Sequence, residues 1–230
     1  MSAETIAGVA IPDSVPARAA TERVRDVAAL PYVGTAAARA AREVARRYHS
    51  PALFNHSVRS FYWAAALAQE ECLTVDIELL YVAAMFHDLG LVPEFDSYAV
   101  DFEDASGHVA MVFAAGAGWS PTRARRLHEI IVRHMWNHVD VEVDVEGHLL
   151  ERATGIDICG RENHLLPEST RAAVLARWPR RGLVEEFTRC FEHQAVRKPR
   201  STAAVALRTG LAAKLRDNPL DSASDTTTLP

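Results

Sequence analysis

ELLYVAAMFHDLGLV, residues 78–92, is the stretch on which the fold turns. Leu79, Leu80, Val82, Ala83, Met85 and Phe86 leave no polar face over two helical turns, which predicts a helix sunk in a core. His87 and Asp88 close that helix, and Gly90 follows in the position of a C′ residue. A buried carboxylate beside a buried imidazole has to be paired, hydrogen-bonded or bound to a cation. His and Asp are ordinary ligands for Zn²⁺ and comparable ions. In a chain with 10 His a bare His-Asp dipeptide means little, so the apolar helix before it carries the signal.

Two further segments extend the pattern. FNHSVRSFYWAAALA, residues 54–68, keeps Val58, Tyr62, Ala65 and Ala66 at helical spacing and sets His56 on a core-facing helix. Alone, His56 reads as a satisfied core histidine. LLERATGIDICG, residues 149–160, puts Asp157 in a largely apolar helix, where its charge needs a metal or a partner such as Arg152 or Arg161. Together His56, His87, Asp88 and Asp157 are two imidazoles and two carboxylates on three buried helices, a set that suits one divalent ion.

The rest of the chain predicts a single all-α domain. Its 230 residues, 49% of them hydrophobic, allow one substantial core and do not require two. Helical spacing predicts segments near 18–30, 35–48, 51–70, 76–88, 105–116, 121–135, 147–160, 168–177, 183–196 and 202–216. Ser50, Asp76 and Ser120-Pro121 stand where helix N-caps are wanted. VDVEVDVEG at 139–147 alternates like a loop or a short strand. The expected organisation is an N-terminal helical segment at 1–49 packing on the core, the main domain at 50–216, and a flexible polar tail at 217–230.

A net charge of -5 and a pI near 6.1 argue against a nucleic-acid or anionic-membrane partner, so Arg123, Arg125 and Arg126 read as a solvated face. Cys72, Cys159 and Cys190 are widely spaced and form no C-x-x-C pair, which suggests neither a disulfide framework nor a thiolate zinc site and fits a reducing cytoplasm. The N-terminus lacks a basic region followed by a sustained apolar one, and no apolar run reaches membrane-spanning length. The apolar stretch TAAVALRTGLAAKL, residues 202–215, leaves a homo-oligomer open.

The order His, His-Asp, Asp resembles the HD-domain superfamily of all-helical metal hydrolases. The strings at 54–68 and 78–92, Phe102-Glu103, IIVRH at 130–134 and GIDICG at 155–160 are similar to its cyanamide-hydratase-like branch. Arg177-Trp178-Pro179 and Arg197-Lys198-Pro199 extend the resemblance over roughly residues 50–205. It implies an HD helical bundle with His56, His87, Asp88 and Asp157 as ligands of one metal; zinc is the expected ion, with Fe²⁺ and Mn²⁺ compatible with the same set. It also implies addition of water to a small C–N unsaturated substrate, with His134 and Glu103 as candidate proton shuttles. Arg59, one turn after His56, is a third candidate, to orient Asp157, hold a substrate carbonyl or bind an anion.

The chain departs from that branch. Ala105-Ser106 stand where an Asp-Gly pair is expected, and Met135-Trp136 follow His134 where small hydroxyl residues are usual, which leaves a bulkier nitrile-like, amide-like or amidine-like compound as open as cyanamide. Alternatives are a nucleotide phosphohydrolase, drawing charge from Arg59 and Arg133, a dinuclear-iron oxygenase using His108 and His134 for a second ion, and a non-catalytic helical regulator. Leu91, where many phosphodiesterase relatives carry Lys, weighs against the first.

Overall fold

Capping chemistry and apolar spacing between them set most of the helix boundaries. The computed structural model describes residues 33–222, so the helix expected at 18–30 and residues 223–230 lie outside the described part. Eleven helices follow in order among the described residues: α1 Ala36–Tyr48, α2 Pro51–Glu70, α3 Ile77–Phe86, α4 Phe102–Gly116, α5 Pro121–Arg133, α6 Val145–Cys159, α7 Glu168–Arg177, α8 Leu183–Arg197, α9 Thr202–Arg208, α10 Leu211–Arg216 and α11 Pro219–Ser222. Short 3-10 turns at Leu89–Leu91 and Asn163–Leu165 complete them, and these residues contain no strand. The side chains of Thr35, Ser50, Asp76, Ser120, Asp144 and Ser201 each accept a hydrogen bond from the backbone N–H three residues on. Each such cap contributes about 1 kcal/mol.

Helix α2 is the axis of the molecule. From Ala52 to Ala68 every residue except Tyr62 is buried, and the helix packs on α6, α3 and α8. Helix α3 is buried from Leu79 through Phe86, as its unbroken apolar run requires. Helices α4 and α5 form a hairpin, and α5 packs on both α3 and α6. Helix α8 covers α2, and α10 packs on α6, α8 and α9. His56 on α2, the pair at the end of α3 and Asp157 on α6 therefore meet where three helices share one core.

Three expectations are corrected. Gly90 does not terminate α3 in a left-handed conformation: it sits in the 3-10 turn, and a Cβ there would lie 2.1 Å from the Phe102 carbonyl oxygen. Glycine is needed for close approach to α4, and the Gly90 N–H donates to Ser106 Oγ at 2.7 Å. The helix expected at 202–216 breaks into α9 and α10 because Gly210 takes φ +91 between them. Residues 217–222 are not a flexible tail: Asn218 and Leu220 are buried, and Asn218 Nδ2 donates to the Asp157 carbonyl at 2.8 Å. Of the two readings open to 139–147 the structure takes the loop, through residue 144, where Asp144 caps α6.

Candidate metal centre

His87 caps the C-terminal end of α3, and its Nδ1 donates to the Ala84 carbonyl at 2.8 Å. His56 Nδ1 faces Asp157 Oδ2 at 2.7 Å, and His134, capping α5, turns its Nδ1 to the Ile131 carbonyl. Carbonyls and carboxylates only accept, so all three imidazoles carry their proton on Nδ1 and present the Nε2 lone pair. These lone pairs converge. His56 Nε2 is 3.0 Å from His87 Nε2, Asp88 Oδ2 is 3.3 Å from each, and His134 Nε2 lies 3.9 Å from Asp88 Oδ1.

A divalent ion fits this cluster. Donors about 2.0–2.1 Å from one ion in a tetrahedral shell lie roughly 3.3 Å apart, close to the spacing of His56, His87 and Asp88. Both Asp88 carboxylate oxygens are buried without a hydrogen-bond partner among the described residues. Burial works against that charge, so Asp88 is held ionised only by positive charge beside it, whether protons on His87 and His56 or a bound cation. An ionised, unpartnered carboxylate surrounded by imidazole lone pairs calls for a cation. Burial pushes His134 down to about 3, which keeps its Nε2 a neutral donor.

Asp157, expected as a fourth ligand, lies on the Nδ1 side of the His56 ring and takes other partners in this structure. Arg59 grips the carboxylate bidentately, Nε to Oδ1 at 2.8 Å and Nη2 to Oδ2 at 2.8 Å, and Trp63 Nε1 donates to Oδ1 at 2.8 Å. With His56 Nδ1 as fourth donor the lone pairs of Asp157 are taken up, and it stands outside the group of ligand atoms that converge. Its partners are therefore Arg59 and His56, with Arg180 Nη1 at 3.6 Å from Oδ2, rather than Arg152 or Arg161. Arg152 pairs with Glu71 and Glu162, and Arg161 with Glu151.

The remaining candidates separate. Of the three roles open to Arg59 the structure assigns orientation of Asp157: the side chain is fully buried, and Nη1 donates to the Trp178 and Pro179 carbonyls at 2.9 and 3.2 Å. Glu103 lies outside the lining of the cavity. Successive residues on a helix point about 100° apart, and Phe102 takes the direction toward His134 and Phe191, with ring centroids at 5.8 and 5.4 Å. Glu103 turns instead toward Thr202, and burial raises its carboxyl to about 7. His108 lines a separate apolar groove with Val44 and Phe113, away from any second-ion position beside His134. Sequence reasoning passed over His49 and Arg180, and it read Trp63 as core, where the side chain is indeed buried. His49 ends α1, is buried, and is pushed by burial down to about 3, yet nothing in its spacing distinguishes it from a surface histidine.

The cluster forms one end of a cavity of about 140 Å³. His56, His87, Asp88 and His134 line that end, Phe187, Phe191, Ile158, Ala206 and Leu211 contribute apolar wall, and Trp136 is half exposed at the rim. Arg161, the cation of this lining, is paired with Glu151. Arg133 is likewise engaged, with Asp144 at 2.5 Å.

The HD domain family model matches residues 53–139, which takes in His56, His87, Asp88 and His134 and stops before Asp157. Two yeast proteins from Saccharomyces cerevisiae, cyanamide hydratase DDI2 and cyanamide hydratase DDI3, are each 27% identical to the chain over 180 residues, covering 76% of it and 80% of the relative. No helix among the described residues is long and apolar enough to cross a membrane. The residues whose Nε2 and carboxylate atoms converge all lie in the part of the chain, residues 53–139, that matches the HD domain family model.

Proposed function

We propose that the protein is a metal-dependent hydratase that adds water to a small, uncharged compound with a C≡N bond, giving an amide or urea. One observation carries the reading: Asp88, buried without a hydrogen-bond partner and 3.3 Å from the Nε2 atoms of His56 and His87, lines a cavity that holds no unpaired cation among the described residues. The similarity to two cyanamide hydratases supports the same reading. A phosphoryl substrate needs cationic groups around it, and Arg59, Arg133 and Arg161 are all engaged elsewhere.

His56, His87 and Asp88 would hold the ion, with His134 Nε2 the next donor facing it. When bound, zinc or a comparable ion supplies Lewis acidity and a water acidified toward neutrality. Asp157 fixes His56 in the donor tautomer, and Arg59 fixes Asp157, so the imidazole meets the ion without reorganising. Phe187, its ring centroid 5.7 Å from that of His56, keeps bulk water from the ligand face. Neutral His134 stands beside Asp88 where a proton must move between water and the substrate nitrogen, so it serves as ligand or as shuttle.

Elemental analysis with a hydration assay tests the reading. About one metal per chain and urea formation from cyanamide or an amide from a nitrile are expected, both lost in His87→Ala. Full activity in a metal-free His87→Ala protein removes the mechanism.

A further inference from the structure

A second group of donors lies on the α4–α5 hairpin, outside the lining of the cavity. Asp104 and His108 stand one turn apart on α4, where residues i and i+4 share a face. His128 of α5 meets them: its Nε2 is 3.9 Å from Asp104 Oδ1, and its ring centroid is 5.2 Å from that of His108. Gly107 makes the approach possible, since a Cβ there would lie 2.5 Å from the His128 ring. Two imidazoles that share one tetrahedral ion through bonds of about 2.0–2.1 Å have centroids about 5 Å apart. The rings of the buried cluster stand at the same spacing, 5.0 Å for His56 and His87 and 4.8 Å for His87 and His134. None of the three hairpin side chains makes a hydrogen bond among the described residues. Burial and the nearby His108 lower the His128 imidazole below its ordinary value, which leaves it neutral at pH 7 with a lone pair to give. His108 is exposed, so its ring turns to a donor position on a fast timescale.

We propose that Asp104, His108 and His128 form a second site, for a divalent transition-metal ion that bridges α4 and α5. Two imidazole nitrogens, one carboxylate oxygen and access for water suit Cu²⁺ first, because it binds such sets more tightly than the other first-row divalent ions. Zinc is weaker in that order, so zinc at levels that fill the buried cluster leaves this exposed site to copper. The two sites share no residue. An ion here ties together the hairpin whose far ends set Phe102 against His134, with ring centroids at 5.8 Å.

The test is equilibrium dialysis of the zinc-loaded full chain against Cu²⁺, with copper and zinc counted per chain by elemental analysis. One copper is expected beyond the zinc already held, with nitrogen hyperfine coupling in its electron paramagnetic resonance spectrum. His108→Ala should weaken that binding by more than the tenfold to hundredfold that loss of an outer partner of a ligand costs, and His128→Ala should do the same. Should His128→Ala fail to fold, His108→Ala and Asp104→Asn, at positions open to solvent, carry the comparison. The count that decides is the difference between the unaltered chain and each variant, so it does not depend on what the buried cluster holds. Copper taken up only in exchange for zinc, or held equally by the unaltered chain and the variants, overturns the site.

Discussion

Asp157 shows how much one buried carboxylate can organise. It takes Arg59, Trp63 and His56 as donors, while its backbone carbonyl accepts from Arg180 at 2.5 Å and from Asn218 at 2.8 Å. Despite burial, Arg59 and His56 hold its carboxyl well below the usual range. Replacing it by Asn leaves the Arg59 guanidinium buried and uncompensated, a loss of about 3 kcal/mol or more. We expect Asp157→Asn to melt roughly 6–12 °C lower by calorimetry and, with excess zinc, still to bind one ion per chain, more weakly by about tenfold to a hundredfold. Loss of all binding at saturating zinc, with the fold intact by circular dichroism, would instead make Asp157 a direct ligand.

At the scale of elements, α6 is held by its first residues as firmly as by its apolar side. Asp144 accepts from the Gly147 N–H at 2.6 Å and pairs with Arg126 and Arg133 of α5, each at 2.5 Å, although its own side chain is fully buried. One residue thus caps α6 and ties it to α5. Burial opposes the charge, but the bonds from Arg126 and Arg133 lower the Asp144 carboxyl below its ordinary value. A depressed carboxylate contributes stability that is fully present above the unfolded value, about 4, and is lost as pH falls through the folded one. Asp144→Ala should therefore cost about 2 kcal/mol at pH 7, and its melting gap to the unaltered protein should shrink below about pH 4. A gap that stays constant from pH 7 to pH 3 would show that the charge plays no part.

For the whole molecule, the ion and the fold are linked. The residues that could hold an ion come from α2 and the end of α3, with His134 at the end of α5 facing Asp88, elements that the unfolded chain does not bring together. A ligand at 100 times its Kd stabilises the folded state by about 2.7 kcal/mol, worth roughly 5–10 °C in a domain of this size. Chelation should lower Tm by that amount, added zinc should restore it, and His87→Ala should respond to neither. An unchanged Tm on chelation, with metal removal verified by elemental analysis, would mean that the cluster is held by its own hydrogen bonds.

Much of this was legible from residue types in order. The unbroken apolar run at 79–86 can only be a buried helix, and the caps at Ser50, Asp76 and Ser120 mark starts that the structure keeps, because cap and period act within a few residues of chain. His87 and Asp88 stood out by the same local logic, whereas His56, a core histidine when read alone, joined them only as part of a set. The direction in which a side chain points across helices is not local. Arg59 reaching Asp157 over 98 residues, Glu103 turned aside by Phe102, and Gly90 admitted by the α4 backbone each depend on how two helices meet. The sequence by itself determined a helical core carrying a metal-type ligand set; which carboxylate faces the ion, and how much room lies beside it, only tertiary packing decided, because those are distances between elements that the chain order leaves free.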